Sequence, residues 1–80
     1  MMTIIKCTVF MNKKTKQYKW LSWETSDGTN RYLYESGIDT TEQPSKRPLS
    51  GNETSPASFI DYERSKDRIR GEGYDIVTEQ

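Results

Sequence analysis

Only one segment of this chain repeats its apolar residues at helical spacing. Phe59, Tyr62, Lys66 and Ile69 fall on one stripe, with Ala57 and Ile60 beside them, and such a stripe buries a single helix face. One helix covers one face of a sheet, so the other face is expected to meet water or a partner. Two starts compete. Ser55 is a plausible N-cap with Pro56 at the first helical position, where the missing N–H costs nothing; Ser58 with Asp61 has the form of a capping box. Gly71 or Gly73 is positioned to end the helix through a left-handed cap. Asp61, Glu63, Arg64, Asp67, Arg68 and Arg70 fall on the solvent side with opposite charges at salt-bridge spacing.

The rest of the ordered chain reads as strands. Thr3 to Met11 alternates, with Thr3, Ile5, Cys7, Val9 and Met11 on one face and Ile4, Lys6, Thr8 and Phe10 on the other, which is the two-residue period of a strand. Asn12 to Lys16 is a polar connection of hairpin length. Gln17 to Thr25 is a second strand, placing Tyr18 and Trp20 opposite Leu21 and Trp23. Ser26-Asp27-Gly28-Thr29-Asn30 is a turn, because Asp-Gly accepts the positive φ of tight hairpins. Arg31 to Glu35 is a third strand with Tyr32 and Tyr34 on one face and Leu33 opposite. A last short strand, Tyr74 to Thr78, follows the helix. The fold class is therefore α+β: a small antiparallel sheet, made of a three-stranded meander plus a C-terminal strand, with one helix packed on one face.

Between Ser36 and Ser55 the pattern stops. Gly37, Pro44, Pro48 and Gly51 stand among Ser, Thr, Asn and charged residues. The chain is thus one domain, 1–80, with a long polar loop at about 36–55, a length associated with functional or mobile segments. Ile38 and Leu49 are the side chains expected to pin it. Eighty residues bury only about 60% of the surface of the unfolded chain, so burial in a homodimer would matter to a core this small.

Charge is balanced overall but not along the chain. Lys6, Lys13, Lys14, Lys16, Lys19 and Arg31 face only Glu24 and Asp27 in residues 1–34, a net of +4, which leaves −4 for residues 35–80 of a neutral chain. The first part could face an anionic partner, or the two parts could offset each other within the fold. Ser45-Lys46-Arg47-Pro48 is a small basic cluster of solvated type. The single cysteine, Cys7, rules out an intramolecular disulfide and suits a reducing compartment; in an apolar alternating run it reads as a small buried hydrophobe. No stretch approaches the roughly 20 apolar residues of a membrane span, and Lys6 directly after Ile4-Ile5 breaks any signal-peptide core. A cytoplasmic location, in the host cell if phage-encoded, is expected.

Catalytic material is sparse. There is no histidine, the usual general base near neutral pH and the commonest metal ligand. One cysteine cannot build a thiolate metal site, and the five glycines match neither phosphate-binding signature. No enzyme activity, cofactor or metal is expected. The suggestive feature is an interleaving of rings and cations: Lys14, Lys16, Tyr18, Lys19, Trp20, Trp23, Arg31, Tyr32 and Tyr34. Rings on an open sheet stack on bases while cations neutralise phosphates, and Trp among Tyr is also the composition of a protein-interface hot spot. Alternatively, the rings form core and cross-strand pairs. The order of hairpin strands, polar segment, helix and Gly73-Tyr74 resembles the WGR nucleic-acid module. The signature Trp-Gly-Arg is replaced by Tyr34-Glu35-Ser36, so no residue role and no family assignment carry over. The leading expectation is a non-enzymatic inhibitor or adaptor, of the kind phages and mobile elements encode against host defence, binding a host protein or protein complex. A single-stranded nucleic-acid (RNA) binder and a homo-oligomeric structural subunit are the alternatives.

Overall fold

A computed structural model describes residues 2–80. Five strands form one antiparallel sheet in the order β4-β3-β2-β1-β5. They are β1 (Thr3–Asn12), β2 (Tyr18–Thr25), β3 (Arg31–Ile38), β4 (Asn52–Thr54) and β5 (Tyr74–Glu79), with α1 (Phe59–Gly71) between the last two. The expected α+β class with its meander, C-terminal strand and packed helix is what forms. Beyond that expectation, β3 runs on to Ile38 and a three-residue strand, β4, pairs with it inside the polar segment. No helix among the described residues is long and apolar enough to cross a membrane.

Local chemistry explains the connections. Asn12 turns the chain between β1 and β2: its side-chain oxygen accepts the Lys14 amide at 2.9 Å, and its carbonyl accepts the Lys16 amide at 2.7 Å. Between β2 and β3, Asp27 Oδ1 accepts the amides of Thr29 (2.9 Å) and Asn30 (2.8 Å), and Gly28 takes φ +87°. These hydrogen bonds to the Thr29 and Asn30 amides pull the Asp27 carboxyl down to about 2. Of the two possible helix starts, the capping box wins. Ser58 Oγ accepts the Asp61 amide at 3.2 Å and the Asp61 carboxylate accepts the Ser58 amide at 2.7 Å, so two orphan donors of the first turn are satisfied together.

The helix packs on the face carrying Phe10, Leu21, Trp23 and Leu33, inserting Tyr62 and Ile69. Tyr62 anchors it further, with its hydroxyl 2.6 Å from Thr8 Oγ1. Lys66 sits on the same stripe because its ammonium reaches Glu79 at 2.7 Å and Glu63 at 3.4 Å, leaving the methylene stem to cover apolar surface.

The opposite face carries Cys7, Val9, Tyr18, Trp20 and Tyr34, with Met11 and Ile38 packed against them. It does not meet water or a partner, contrary to expectation. The polar segment folds back across it as a strap. Tyr34 donates its hydroxyl to the carbonyls of Pro48 (3.1 Å) and Ser50, and Ser36 donates to the Ser50 carbonyl at 2.7 Å. Gln43 donates to Thr78 Oγ1 at 3.0 Å on the far side of the sheet. Arg47 is the central fastener: its Nε donates to both oxygens of fully buried Glu24 (2.9 and 3.0 Å), another nitrogen reaches Glu53 at 2.5 Å, and its guanidinium lies 3.7 Å from the Tyr34 ring centre. The basic cluster around Arg47 is therefore not simply solvated. Ile38 pins this region as expected, but Leu49 does not: it is 102% exposed, because the strap is held through polar groups and its backbone carbonyls.

Candidate functional site

The nine ring and cation positions do not form one surface. Tyr18, Trp20 and Tyr34 are buried beneath the strap. Lys19 is held by Glu35 and Glu72, both at 3.3 Å, over the Tyr74 ring. Lys14 and Lys16 are exposed in the β1–β2 turn, at the opposite end of β2 from Trp23. Tyr32 is half-buried on the strap face, opposite Glu24 in the ladder, with its hydroxyl 3.5 Å from Ser26 Oγ. Among those outside the buried cluster, Trp23 and Arg31 stand together, with the guanidinium 5.5 Å from the indole centre.

The uneven charge along the chain is resolved only in part inside the fold. Lys13 reaches Asp75 at 3.6 Å, Lys19 reaches Glu35 and Glu72, and Arg68 joins Glu35 and Glu72. Of the six first-part cations, Lys13 and Lys19 thus meet second-part carboxylates, so the offsetting reading holds for those two. Glu72 is held below the usual carboxylate range: burial pushes it up, but the Lys19 and Arg68 cations outweigh that.

The surface that does present large apolar groups lies at the start of α1. Trp23 is half-buried and fixed, its indole N–H donating to the Ala57 carbonyl at 3.0 Å. The Phe59 ring meets it edge-on at 5.6 Å and stacks on Tyr62 at 6.0 Å. Phe59 remains 43% exposed and Ile60 60%. At the same end of the sheet the first half of β1 adds Ile5, 36% exposed, and, on the strap face with Glu24, Ile4, 38% exposed. These belong to the same end of the sheet, since Ile4 pairs with Glu24 and Lys6 with Trp23. A groove of about 180 Å³ between α1 and the β1 edge is lined by Lys6, Phe59, Tyr62, Glu63, Lys66 and Glu79.

The same end contains open backbone. β5 pairs with β1 only from Thr8 to Asn12, and Gln80 extends this to Cys7 by donating to its carbonyl at 2.8 Å. Thr3 to Lys6 therefore have β2 on one side and no strand on the other among the described residues. Unpaired strand edges are templates for further pairing.

Sequence reasoning missed Phe59, Ile60, Ile4 and Ile5 as surface groups. Ile60 had a usable signal, since it lies about 100° around the helix from Phe59 and so off the buried stripe. Phe59 had none: its exposure follows from its place at the first helical position, past the sheet it would otherwise cover.

Among the described residues no group of three His, Cys, Asp or Glu is arranged to hold a metal. Buried Glu24 and partly exposed Arg47 form a structural clasp at the strap. Cys7 lies beneath the strap, where burial, and secondarily the Glu24 charge, push its thiol up to about 11. No family model matches the chain, and neither does any curated protein or solved structure.

Proposed function

We propose that this is a non-enzymatic binding protein whose working surface is the Trp23–Phe59–Ile60 end of the molecule with the adjoining β1 edge. The observation that carries the reading is the exposure of Phe59 and Ile60, 43% and 60%, against an indole held rigidly by the Ala57 carbonyl. A fixed aromatic anchor beside exposed aliphatics is the composition of a protein-interface hot spot, and clustered apolar exposure marks an interaction site. The partner class is protein. A nucleic-acid platform needs open rings among free cations, whereas Tyr18, Trp20 and Tyr34 are covered and Lys19 is ion-paired. An inhibitor or adaptor acting on a host protein, as phages and mobile elements encode, is the role we assign to such a surface.

The test is affinity capture from a bacterial lysate with and without nuclease, comparing the wild type with Ile60→Asp. Residue 60 is exposed, so the substitution leaves the core intact. The expected result is a protein retained by the wild type after nuclease treatment and lost with Ile60→Asp. Recovery of nucleic acid alone, or retention unchanged by the substitution, overturns the proposal.

A further inference from the structure

We infer that the sheet face beneath the strap is a groove for an extended segment of a partner protein, one that presents an arginine beside proline. The strap fills this groove in cis, as an internal ligand. The groove lies on the face opposite Trp23 and α1, so it is a second site, independent of the end surface.

The strap is seated as a bound peptide is. Among the described residues, positions 39–51 form no backbone–backbone hydrogen bond, although strands flank them on both sides. Side chains of the sheet hold them instead. The hydroxyls of Tyr34 and Ser36 donate to the carbonyls of Pro48 and Ser50. Pro44 and Pro48 have φ fixed at about −65°, and each biases the residue before it, Gln43 and Arg47, to extended backbone. Extended proline-bearing segments dock on aromatic grooves at low entropic cost, and this face carries Tyr18, Trp20 and Tyr34.

Arg47 supplies the selectivity. Its guanidinium lies 3.7 Å from the Tyr34 ring centre, its Nε meets Glu24 at 2.9 and 3.0 Å, and another nitrogen reaches Glu53 at 2.5 Å. A ring face with two carboxylates beside it selects a planar cation over a lysine ammonium.

The strap is nevertheless an imperfect occupant. A cavity of about 130 Å³ remains between Cys7, Val9 and Trp20 on the sheet and Gln43, Pro44 and Ser45 on the strap. Trp20 is 5% exposed, and its indole N–H has no acceptor among the described residues. A buried donor without a partner costs stability, so a segment that fills the cavity and brings an acceptor fits better than the strap. This points to a foreign segment. The strap of a second copy would leave the same cavity and the same N–H, and it would compete with a cis strap at an effective concentration on the order of millimolar.

The test is titration of a peptide with the sequence of residues 42–51 into the whole chain carrying Arg47→Met, followed by tryptophan emission. The peptide's arginine restores the partner that buried Glu24 has lost. The expected result is saturable binding below about 1 mM, with the emission returning toward that of the wild type. Affinity is expected to fall at least about tenfold when the peptide itself carries Arg47→Met, and equally when the protein is wild type, whose own strap competes. Ser45→Leu in the peptide adds apolar volume at the cavity and is expected to tighten binding at least about threefold. Should Arg47→Met unfold the protein, Gly51→Ala, whose Cβ would meet the Glu35 carbonyl and the Tyr34 ring at 2.6 Å, loosens the strap and carries the same titration. No binding to a folded variant, or equal affinity for the two arginine-position peptides, overturns the groove, as does equal binding by wild type and variant. No gain from Ser45→Leu, or a wild type that sediments as a dimer dissociated by the peptide, overturns the assignment to a foreign segment and makes a second copy the occupant.

Discussion

Replacing Arg47 by methionine is the perturbation that most directly probes how the strap is held. Glu24 is fully buried, and its carboxylate receives both of its guanidinium hydrogen bonds from Arg47 Nε, with Ser22 donating a third. Removing one partner of a buried pair leaves a charge without compensation, at about 3–5 kcal/mol. The Arg47 side chain is 25% exposed, so water reaches part of the pair and the lower end, about 3 kcal/mol, is the better estimate. A domain of this size has a total stability of roughly 4–12 kcal/mol. The loss lowers Tm by roughly 12–24 °C. Glu24→Gln keeps an acceptor for Arg47, whose guanidinium also retains Glu53, and costs about 1 kcal/mol. The double variant removes both charges, so its cost falls below the sum of the singles by about 2 kcal/mol. Urea unfolding followed by tryptophan fluorescence measures all four corners of the cycle. Trp20 lies beneath the strap, so a red-shifted native spectrum for Arg47→Met reports strap loosening before global unfolding. An Arg47→Met cost below about 0.5 kcal/mol, within the range of ordinary surface changes, or strict additivity in the double variant, would refute the reasoning.

Three further outcomes follow from other parts of the fold. A Cβ at Gly51 would lie 2.6 Å from both the Glu35 carbonyl and the Tyr34 ring, so Gly51→Ala forces the strap off the sheet and costs about 1–3 kcal/mol by overpacking; an unchanged urea midpoint contradicts this. With its thiol pushed up to about 11 from 9.0, Cys7 carries roughly 100-fold less thiolate near neutral pH than an ordinary cysteine, so alkylation is expected to be slow in the native state and fast in denaturant, and rapid native labelling counts against the burial. Asp27 has its folded pKa lowered from 3.8 to about 2, so its contribution to the β2–β3 turn is present above the unfolded pKa and lost as pH falls through about 4 to 2. Asp27→Asn, which keeps the Oδ1 acceptor, should flatten that part of the stability–pH curve, and an identical acid limb in both proteins would rule the turn out as its source.

Much of this architecture was legible because its signals are local. Alternation marked β1 and β2 and the faces of β2, where Tyr18 and Trp20 do point away from Leu21 and Trp23, and of β1 from Lys6 on. The bulge between Ile4 and Lys6 puts Thr3 and Ile4 on the faces opposite to those that alternation gave them. Asp27-Gly28 specified a turn through side-chain acceptors and a positive φ, and Ser58 with Asp61 specified a helix start through reciprocal hydrogen bonds. Each of these needs only residues within a few positions of one another. The surface was far less legible. Tyr18, Trp20 and Tyr34 carry the same rings whether open or covered, and nothing in the alternation of β2 distinguishes a stacking platform from a second core. The exposed Phe59 likewise has the spacing of a buried residue.

What the sequence determined by itself was therefore the set of elements apart from β4, their turns and caps, and, outside the β1 bulge, which side chains share a face. What only the tertiary structure decided was the fate of the second sheet face. Residues 39–51 contain almost no apolar periodicity, yet they cover an aromatic surface, because Tyr34, Ser36 and Glu24 on the sheet supply polar partners for Arg47 and for the carbonyls of Pro48 and Ser50. Those bonds join positions up to 23 residues apart. Hydrophobic patterning records which residues avoid water along a strand or helix, but carries no trace of a hydrogen bond or an ion pair whose partners meet only after the chain has folded.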